Sequence, residues 1–123
     1  MKVLLSIKPQ FVEEIMQGRK TFEFRKAVPK QEVSTIVVYS SSPVCRIVGE
    51  IEVEQILCHR PDELWQATHQ GAGISRHYFE TYFRGRDKAY AIQIKKFRPY
   101  LRPVPLHEKY PAATPPQSFC YVS

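Results

Sequence analysis

The alternation of side-chain types from Lys20 to Lys26 is the feature that most limits what this chain can fold into. Odd positions carry polar groups and the positions between them aromatic ones, in the order Thr21, Phe22, Glu23, Phe24 and Arg25. Successive side chains of a β-strand point to opposite faces. The pattern therefore predicts a strand whose phenylalanines anchor it in a core. Its other face presents a hydroxyl, a carboxylate and a guanidinium.

The length and composition predict a single domain covering residues 1–123. With 43% hydrophobic and 24% charged residues, the chain can bury one substantial core but not two. No apolar run is long enough to cross a bilayer. The apolar stretch at the N-terminus is too short for a secretory signal, because Lys8 and Pro9 interrupt it. We therefore expect a cytoplasmic protein, with a monomer favoured.

Short strands with few helices between them make up the predicted fold. Strands are expected at residues 2–7, 20–26, 35–40, 44–58, 88–97 and 118–122, with a bulge at Gly49 and helices beginning near Pro9, Pro61 and Ser75. Residues 98–116 contain many prolines and are expected to be irregular. Regular crossover helices are too few for a doubly wound sheet. The chain thus fits an α+β class, as a small mixed β-barrel of five to six strands with two to three short helices.

Positive charge is concentrated in two segments of the chain. The net charge is +6, and residues 84–102 alone hold seven Lys and Arg against one Asp. Residues 1–30 are also basic, whereas residues 31–83 are acidic. This distribution predicts one positive face that favours polyanions.

Metal and cofactor chemistry find no support in the sequence. The three cysteines, Cys45, Cys58 and Cys120, are widely spaced and form no Cys-x-x-Cys pair. We interpret them as small buried side chains in a reducing compartment, and we expect neither a metal nor a cofactor.

Four spaced residues carry a family resemblance. They match the pattern G-x-K-x-x-E-x-R and are Gly18, Lys20, Glu23 and Arg25. This pattern resembles that of the ASCH domain, within the PUA-like superfamily. Three further segments agree, at residues 5–9, 39–43 and 115–119. The chain is similar to stand-alone prokaryotic ASCH proteins of the predicted transcriptional regulator type. The resemblance implies a PUA-like barrel with a cleft beside the motif strand that binds RNA or another nucleic acid.

Several polar residues are candidates for this cleft. Lys20 and Arg25 can bind phosphates, and Glu23 can pair with Arg25. Arg19 adds to the positive electrostatic potential. Lys8 begins the helix and can approach the same cleft. Neutral groups that read base edges are expected from Ser40, Ser41, Ser42, Gln117 and Ser118. The partner is then RNA, a single-stranded nucleic acid, or a nucleoside or nucleotide.

Two alternatives to a binding module stay open. The first is a small hydrolase that uses Lys20 and Glu23 as acid–base groups. ASCH enzymes that hydrolyse N4-acetylcytidine use the motif Lys, a Thr three residues later and a downstream Glu. Here Glu23 replaces that Thr, and residues 69–73 supply no carboxylate. Another branch cleaves RNA, for which His69 or His77 is a candidate general base. The second alternative is a regulatory protein-interaction module that uses the proline-rich segment 99–116.

One helix carries an aromatic stripe whose role the sequence leaves open. Its members recur at helical spacing and are Tyr78, Phe79, Tyr82 and Phe83. We interpret the stripe first as core packing, with base stacking as the alternative.

Overall fold

The computed structural model describes residues 2–122 and has an α+β fold built on one mixed sheet. The six strands are β1 (Lys2–Ile7), β2 (Phe22–Arg25), β3 (Thr35–Ser40), β4 (Arg46–His59), β5 (Ala89–Val104) and β6 (Phe119–Val122). The four α-helices are α1 (Pro9–Met16), α2 (Pro61–Thr68), α3 (Arg76–Tyr82) and α4 (Leu106–Lys109), and a 3₁₀ turn spans His69–Gly71. Within the described residues, no helix is long and apolar enough to cross a membrane.

The sheet has the strand order β2-β5-β4-β3-β1-β6. Strands β1 and β3 are parallel, and the other neighbours are antiparallel. The bulge predicted at Gly49 is confirmed, because the β4–β5 register shifts between Ile47 and Gly49. A side chain on Gly49 would collide with the carbonyl oxygen of Arg98 and the ring of Phe97. Glycine therefore allows the two long strands to approach closely where they bend.

The two edge strands of the sheet come within reach of one side chain. Arg25, at the end of β2, donates a hydrogen bond to the carbonyl oxygen of Ser118, the residue before β6. Strands β2 and β6 themselves form no ladder within the described residues. The sheet is thus strongly curled, and closure into a barrel stays a prediction.

Hydrophobic clusters cover both faces of the sheet. One cluster packs α1 against β1 and β3, and a second lies on the other face of β1 around Leu4, Val37 and Leu106. A third joins β2 to α2 and α3 through Phe24, Leu64 and other apolar side chains. The predicted anchoring role of the β2 phenylalanines is confirmed, because Phe24 is buried and Phe22 packs against the same cluster.

Three expectations are wrong. Residues 98–104 are not irregular, because β5 continues to Val104. Residues 100–103 have no partner on β4 between the pairs Gly49–Pro99 and Ile47–Val104, so Pro103 costs no ladder hydrogen bond there. Helix α4 was not expected in the proline-rich segment. Cys45 and Cys58 are exposed rather than buried.

Candidate functional site

A cavity of about 320 Å³ opens where β1, α1, β2 and α3 meet, and we call it the central cavity. It is lined by Ser6, Ile7, Lys8, Phe11, Lys20, Glu23, Phe24, Arg25, Ser41, Ile74, Tyr78, Tyr82 and Gln117. Pro9 starts α1 directly after β1, and α1 ends just before β2. This short crossover places the cations at the ends of both strands around one opening.

Lys20 is the most deeply buried cation of the cavity, with 2% of its surface exposed. Its Nζ donates a hydrogen bond of 2.8 Å to the carbonyl oxygen of Ala72. The same Nζ lies 5.2 Å and 4.8 Å from the ring centroids of Phe11 and Phe24. The ammonium is therefore held by a carbonyl and two ring faces, which stabilise a cation out of water.

Gly73 makes room for the Lys20 side chain. Gly73 has φ +65°, a left-handed conformation that favours glycine. A Cβ atom on Gly73 would lie 2.5 Å from Cβ of Lys20. Residues 69–73, which supply no carboxylate, thus contact Lys20 and contribute a backbone oxygen to it.

Glu23 and Arg25 form the ion pair of the cavity. Arg25 Nη1 lies 3.3 Å from Glu23 Oε2, and their side chains are 14% and 6% exposed. Arg25 also donates to the carbonyl oxygens of Ser6 at 3.3 Å and Ser118 at 3.1 Å. The guanidinium therefore orients the carboxylate while it connects β2 to β1 and to the segment before β6.

Burial moves the pKa values of Lys20 and Glu23 toward each other. Desolvation lowers the pKa of Lys20, although the nearby Glu23 carboxylate opposes the change. Desolvation also raises the pKa of Glu23, against the opposing charges of Lys20 and Arg25. Both groups are thereby brought closer to the range in which a side chain exchanges protons near neutral pH.

Aromatic side chains form one wall of the cavity. Tyr78 packs edge-on against Phe11, with 5.4 Å between ring centroids, and its hydroxyl accepts a hydrogen bond of 3.3 Å from Lys8 Nζ. Tyr82 lines the same wall. The four residues of the aromatic stripe therefore have two different environments. Phe79 and Phe83 are buried in the core, whereas Tyr78 and Tyr82 line the cavity.

The structure brings six of the predicted site residues to the central cavity. They are Lys8, Lys20, Glu23, Arg25, Ser41 and Gln117. Ser118 takes part through its carbonyl oxygen. Their role in binding stays a prediction.

Besides Ser118, three predicted residues lie outside the cavity lining. Arg19 turns outward and pairs with Glu14 at 2.5 Å. Ser40 is buried on β3, and Ser42 lies in the turn that follows. Thr21 also leaves the predicted polar face, since its hydroxyl donates to the Gly71 carbonyl at 3.4 Å. The regular strand begins only at Phe22. The side chain that lines the cavity together with Glu23 and Arg25 is therefore that of Lys20 and not that of Thr21.

Several cavity residues were not predicted as site residues, among them Ser6, Phe11 and Ile74. Tyr78 and Tyr82 were interpreted first as core residues, with base stacking as the alternative. Ser6 Oγ is buried and has no hydrogen-bond partner within residues 2–122. The two tyrosines are four positions apart on α3, and this spacing was a usable signal. Tyrosine needs a partner for its hydroxyl, whereas the phenylalanines at the same spacing do not.

The lining residues limit which catalytic chemistry is available. Glu23 is the one carboxylate among them and stands where an acylcytidine hydrolase has Thr, so the downstream Glu of such an enzyme has no counterpart in the lining. His69 and His77 are exposed and lie outside it. In the part of the chain that is described, no three His, Cys, Asp or Glu side chains are close enough to hold a metal.

Comparison with known proteins identifies relatives that match nearly the whole of this chain. The model of the ASCH domain family matches residues 5–99. An ASCH domain-containing ribonuclease of Zymomonas mobilis is 30% identical over 125 residues, which cover 98% of this chain and 84% of that protein. The large ribosomal subunit protein uL22 of Ureaplasma parvum is 28% identical over 121 residues, but these cover only 39% of its length.

A solved structure shares the fold. The crystal structure of ASCH from Zymomonas mobilis superimposes with a TM-score of 0.90 at 30% identity, and the match covers 99% of this chain and 87% of that one. The six-stranded arrangement around the central cavity is therefore similar to an experimentally determined structure.

Proposed function

The chain belongs to the ASCH domain family, and from this premise we propose that it binds RNA with one nucleotide held in the central cavity. The observation that carries the proposal is the deeply buried ammonium of Lys20 beside an aromatic wall and the Glu23–Arg25 pair. Single-stranded RNA is recognised by bases that stack on aromatic rings and hydrogen-bond along their edges. An ASCH domain-containing ribonuclease among its relatives supports RNA as the partner.

The cavity lining fits a nucleotide in size, charge and polarity. Its volume of about 320 Å³ lies at the small end of ligand pockets. Three lining cations, Lys8, Lys20 and Arg25, face one carboxylate, Glu23, so the site favours an anion. Ser41 and Gln117 add neutral hydrogen-bonding groups. We also propose that the curled sheet forms a PUA-like barrel and that the protein acts in the cytoplasm.

A pair of neighbouring variants tests RNA binding. Lys20→Met keeps an apolar stem between Phe11 and Phe24 but removes the charge from the cavity. Arg19→Met removes the same charge one position away and outside the cavity. Binding is measured by fluorescence anisotropy with labelled single-stranded RNA at low salt. We expect Lys20→Met to lose at least about tenfold in affinity, the size expected for a charged hydrogen bond, and Arg19→Met to stay near the wild type.

Circular dichroism establishes that both variants fold. If the folded variants bind RNA equally well, the central cavity is not the binding site. If the wild-type protein binds no RNA at low salt, the proposed function itself is wrong, because phosphate contacts are strongest under that condition.

RNA cleavage is the second candidate function, and the opposed pKa changes of Lys20 and Glu23 favour it. In this reaction the ionised Glu23 accepts the proton of a 2′-hydroxyl, whose oxygen attacks the adjacent phosphorus. The bond to the 5′-oxygen breaks, and Lys20 donates a proton to that leaving oxygen. The products are a 2′,3′-cyclic phosphate and a 5′-hydroxyl.

Cleavage of end-labelled RNA on denaturing gels tests this candidate. We expect Glu23→Gln and a 2′-deoxy substitution at the cleaved nucleotide to abolish cleavage. The variants His69→Ala and His77→Ala serve as controls and should cleave normally, since neither histidine lines the cavity. Loss of cleavage in a histidine variant, or cleavage of the 2′-deoxy substrate, would exclude this mechanism.

A further inference from the structure

Four exposed cations lie together where the β2–β5 pair ends, and we call them the basic rim. They are Lys26, Arg84, Arg86 and Lys88. Within residues 2–122, none of the four is within ion-pair distance of a carboxylate. One acidic residue, Asp87, lies between Arg86 and Lys88 in the sequence. The four cations and this carboxylate together have a formal charge of +3.

The register of the sheet brings these residues together. Arg25 pairs with Tyr90 in the antiparallel β2–β5 ladder, so Lys26 and Lys88 extend from the same end of the two strands. The turn from α3 into β5 is tight, because Arg86 N donates to the Phe83 carbonyl at 3.0 Å and Gly85 has φ +78°. This turn holds Arg84 and Arg86 beside the strand end.

The basic rim borders the central cavity through Tyr82. Lys26 Nζ lies 4.7 Å from the centroid of the Tyr82 ring, and Tyr82 lines the cavity. Arg25 also lines the cavity and directly precedes Lys26. The rim therefore lies beside the side of the cavity that Tyr82 and Arg25 form.

Part of the positive charge elsewhere on this surface is neutralised by ion pairs within residues 2–122. Arg76 pairs with Glu80, Arg98 and Lys95 pair with Glu52, and Arg19 pairs with Glu14. Each of these pairs neutralises charge that would otherwise attract a polyanion. The rim retains its charge, as expected of a surface that exchanges small counterions for phosphates.

From this arrangement, and resting on the proposed function, we infer that the ligand is a single-stranded oligonucleotide rather than a free nucleoside or mononucleotide. The central cavity holds one nucleotide, and the basic rim binds phosphates of the adjoining nucleotides. Phosphate contacts position a strand and supply affinity that is independent of sequence, whereas the cavity supplies selectivity.

The test compares two variants that each lose four positive charges. The rim variant changes Lys26, Arg84, Arg86 and Lys88 to Gln. The control variant changes four exposed cations elsewhere to Gln, namely Lys95, Lys96, Arg102 and Lys109. Lys95 is seven residues beyond Lys88 on the sequence, or about 20 Å along an extended strand. Binding of an eight-nucleotide random RNA and of the four 5′-mononucleotides is measured between low and moderate salt.

We expect the rim variant to lose about tenfold or more in affinity for the eight-nucleotide RNA, and the control variant about threefold or less. The slope of log affinity against log salt should become shallower by about 0.7 for each phosphate contact that the rim variant loses. Affinity for mononucleotides should be the same in all three proteins.

Three outcomes contradict the inference. Unchanged oligonucleotide binding by the rim variant overturns it and leaves the proposed function intact. Equal losses in the rim and control variants also overturn it, because net charge alone then explains the effect. If the wild type binds neither probe at low salt, the proposed function fails and the inference fails with it.

Discussion

Arg25 Nη2 lies 3.1 Å from the carbonyl oxygen of Ser118, ninety-three positions later in the chain. The same guanidinium donates through Nη1 to the Ser6 carbonyl and to the Glu23 carboxylate, both at 3.3 Å. One side chain thus connects β2, β1 and the segment that leads into β6. Arg25 shapes the cavity by positioning its neighbours, in addition to any contact that it makes with a ligand.

Arg25→Ala is expected to lower the free energy of unfolding by about 3 kcal/mol. The reason is that the nearly buried Glu23 carboxylate loses its partner and two carbonyl oxygens lose a donor. Urea denaturation measures the change. The control is Lys26→Ala, which removes an exposed cation and should shift the value by about 0.5 kcal/mol or less. Similar losses in the two variants would show that the hydrogen bonds of Arg25 add nothing to stability.

Gly73→Ala is expected to disturb the site by displacing Lys20. The added Cβ atom meets Cβ of Lys20 at 2.5 Å, and the left-handed backbone costs a further 1–2 kcal/mol, roughly. Gly18→Ala is a matched control, because Gly18 has φ +77° but an added Cβ atom has nothing within 4 Å. RNA affinity measured by anisotropy should fall only in Gly73→Ala. A loss in both variants would attribute the effect to backbone strain.

Tyr78→Ala and Phe79→Ala should separate binding from stability on one helix. Tyr78 lines the cavity, so its loss should weaken RNA binding by about 1–3 kcal/mol, the usual value of one stacked base. Phe79 is 1% exposed, and its truncation should lower the free energy of unfolding by about 3–5 kcal/mol. Thermal denaturation and RNA titration of both variants provide the measurements. If Tyr78→Ala destabilises the fold as much as Phe79→Ala, its packing role is the larger one.

Glu23→Gln should change how stability depends on pH. Because burial raises the pKa of Glu23 above its ordinary value of 4.5, the folded state holds this proton more tightly than the unfolded chain does. The contribution of Glu23 to stability is therefore present below pH 4.5 and is lost as pH rises through the raised pKa. Glutamine does not ionise, so the variant should gain stability relative to the wild type as pH increases from 4.5 to 7.

Urea denaturation across this pH range measures that difference. Glu63→Gln, on the exposed face of α2, is the control for loss of a surface carboxylate. A difference between Glu23→Gln and the wild type that shrinks as pH increases would show that the pKa of Glu23 is lowered instead, through its pairing with Arg25.

Local patterns in the sequence predicted most of the strands and the starts of three helices. Three of these patterns are the alternation around β2, the proline at the start of α1 and the glycine at the β4 bulge. Each affects the backbone conformation of only a few neighbouring residues. Ser75 likewise caps α3, since its hydroxyl accepts a hydrogen bond of 3.0 Å from Tyr78 N. Such features depend on backbone geometry that neighbouring residues determine, so they can be recognised without the fold.

The course of residues 98–104 could not be predicted in the same way. Proline content argues against a strand, but β4 pairs with this segment on both sides of an unpaired stretch. Pairing with a distant strand therefore outweighed the local preference. For the site, the sequence predicted the types of residue present. It could not predict that Lys20 would be buried in the cavity while the neighbouring Arg19 stays at the surface, because burial depends on the fold.

The sequence by itself thus determined the secondary structure around the motif, the family and the identity of the cations and carboxylate available for a site. Only the tertiary structure decided which of these groups meet. Lys20 reaches a carbonyl oxygen fifty-two positions away, and Arg25 reaches one ninety-three positions away. Contacts of this length form when sheet curvature and core packing bring separate segments together, and no short pattern in the chain encodes that geometry. The same packing leaves the basic rim exposed beside the cavity and turns Arg19 away from it.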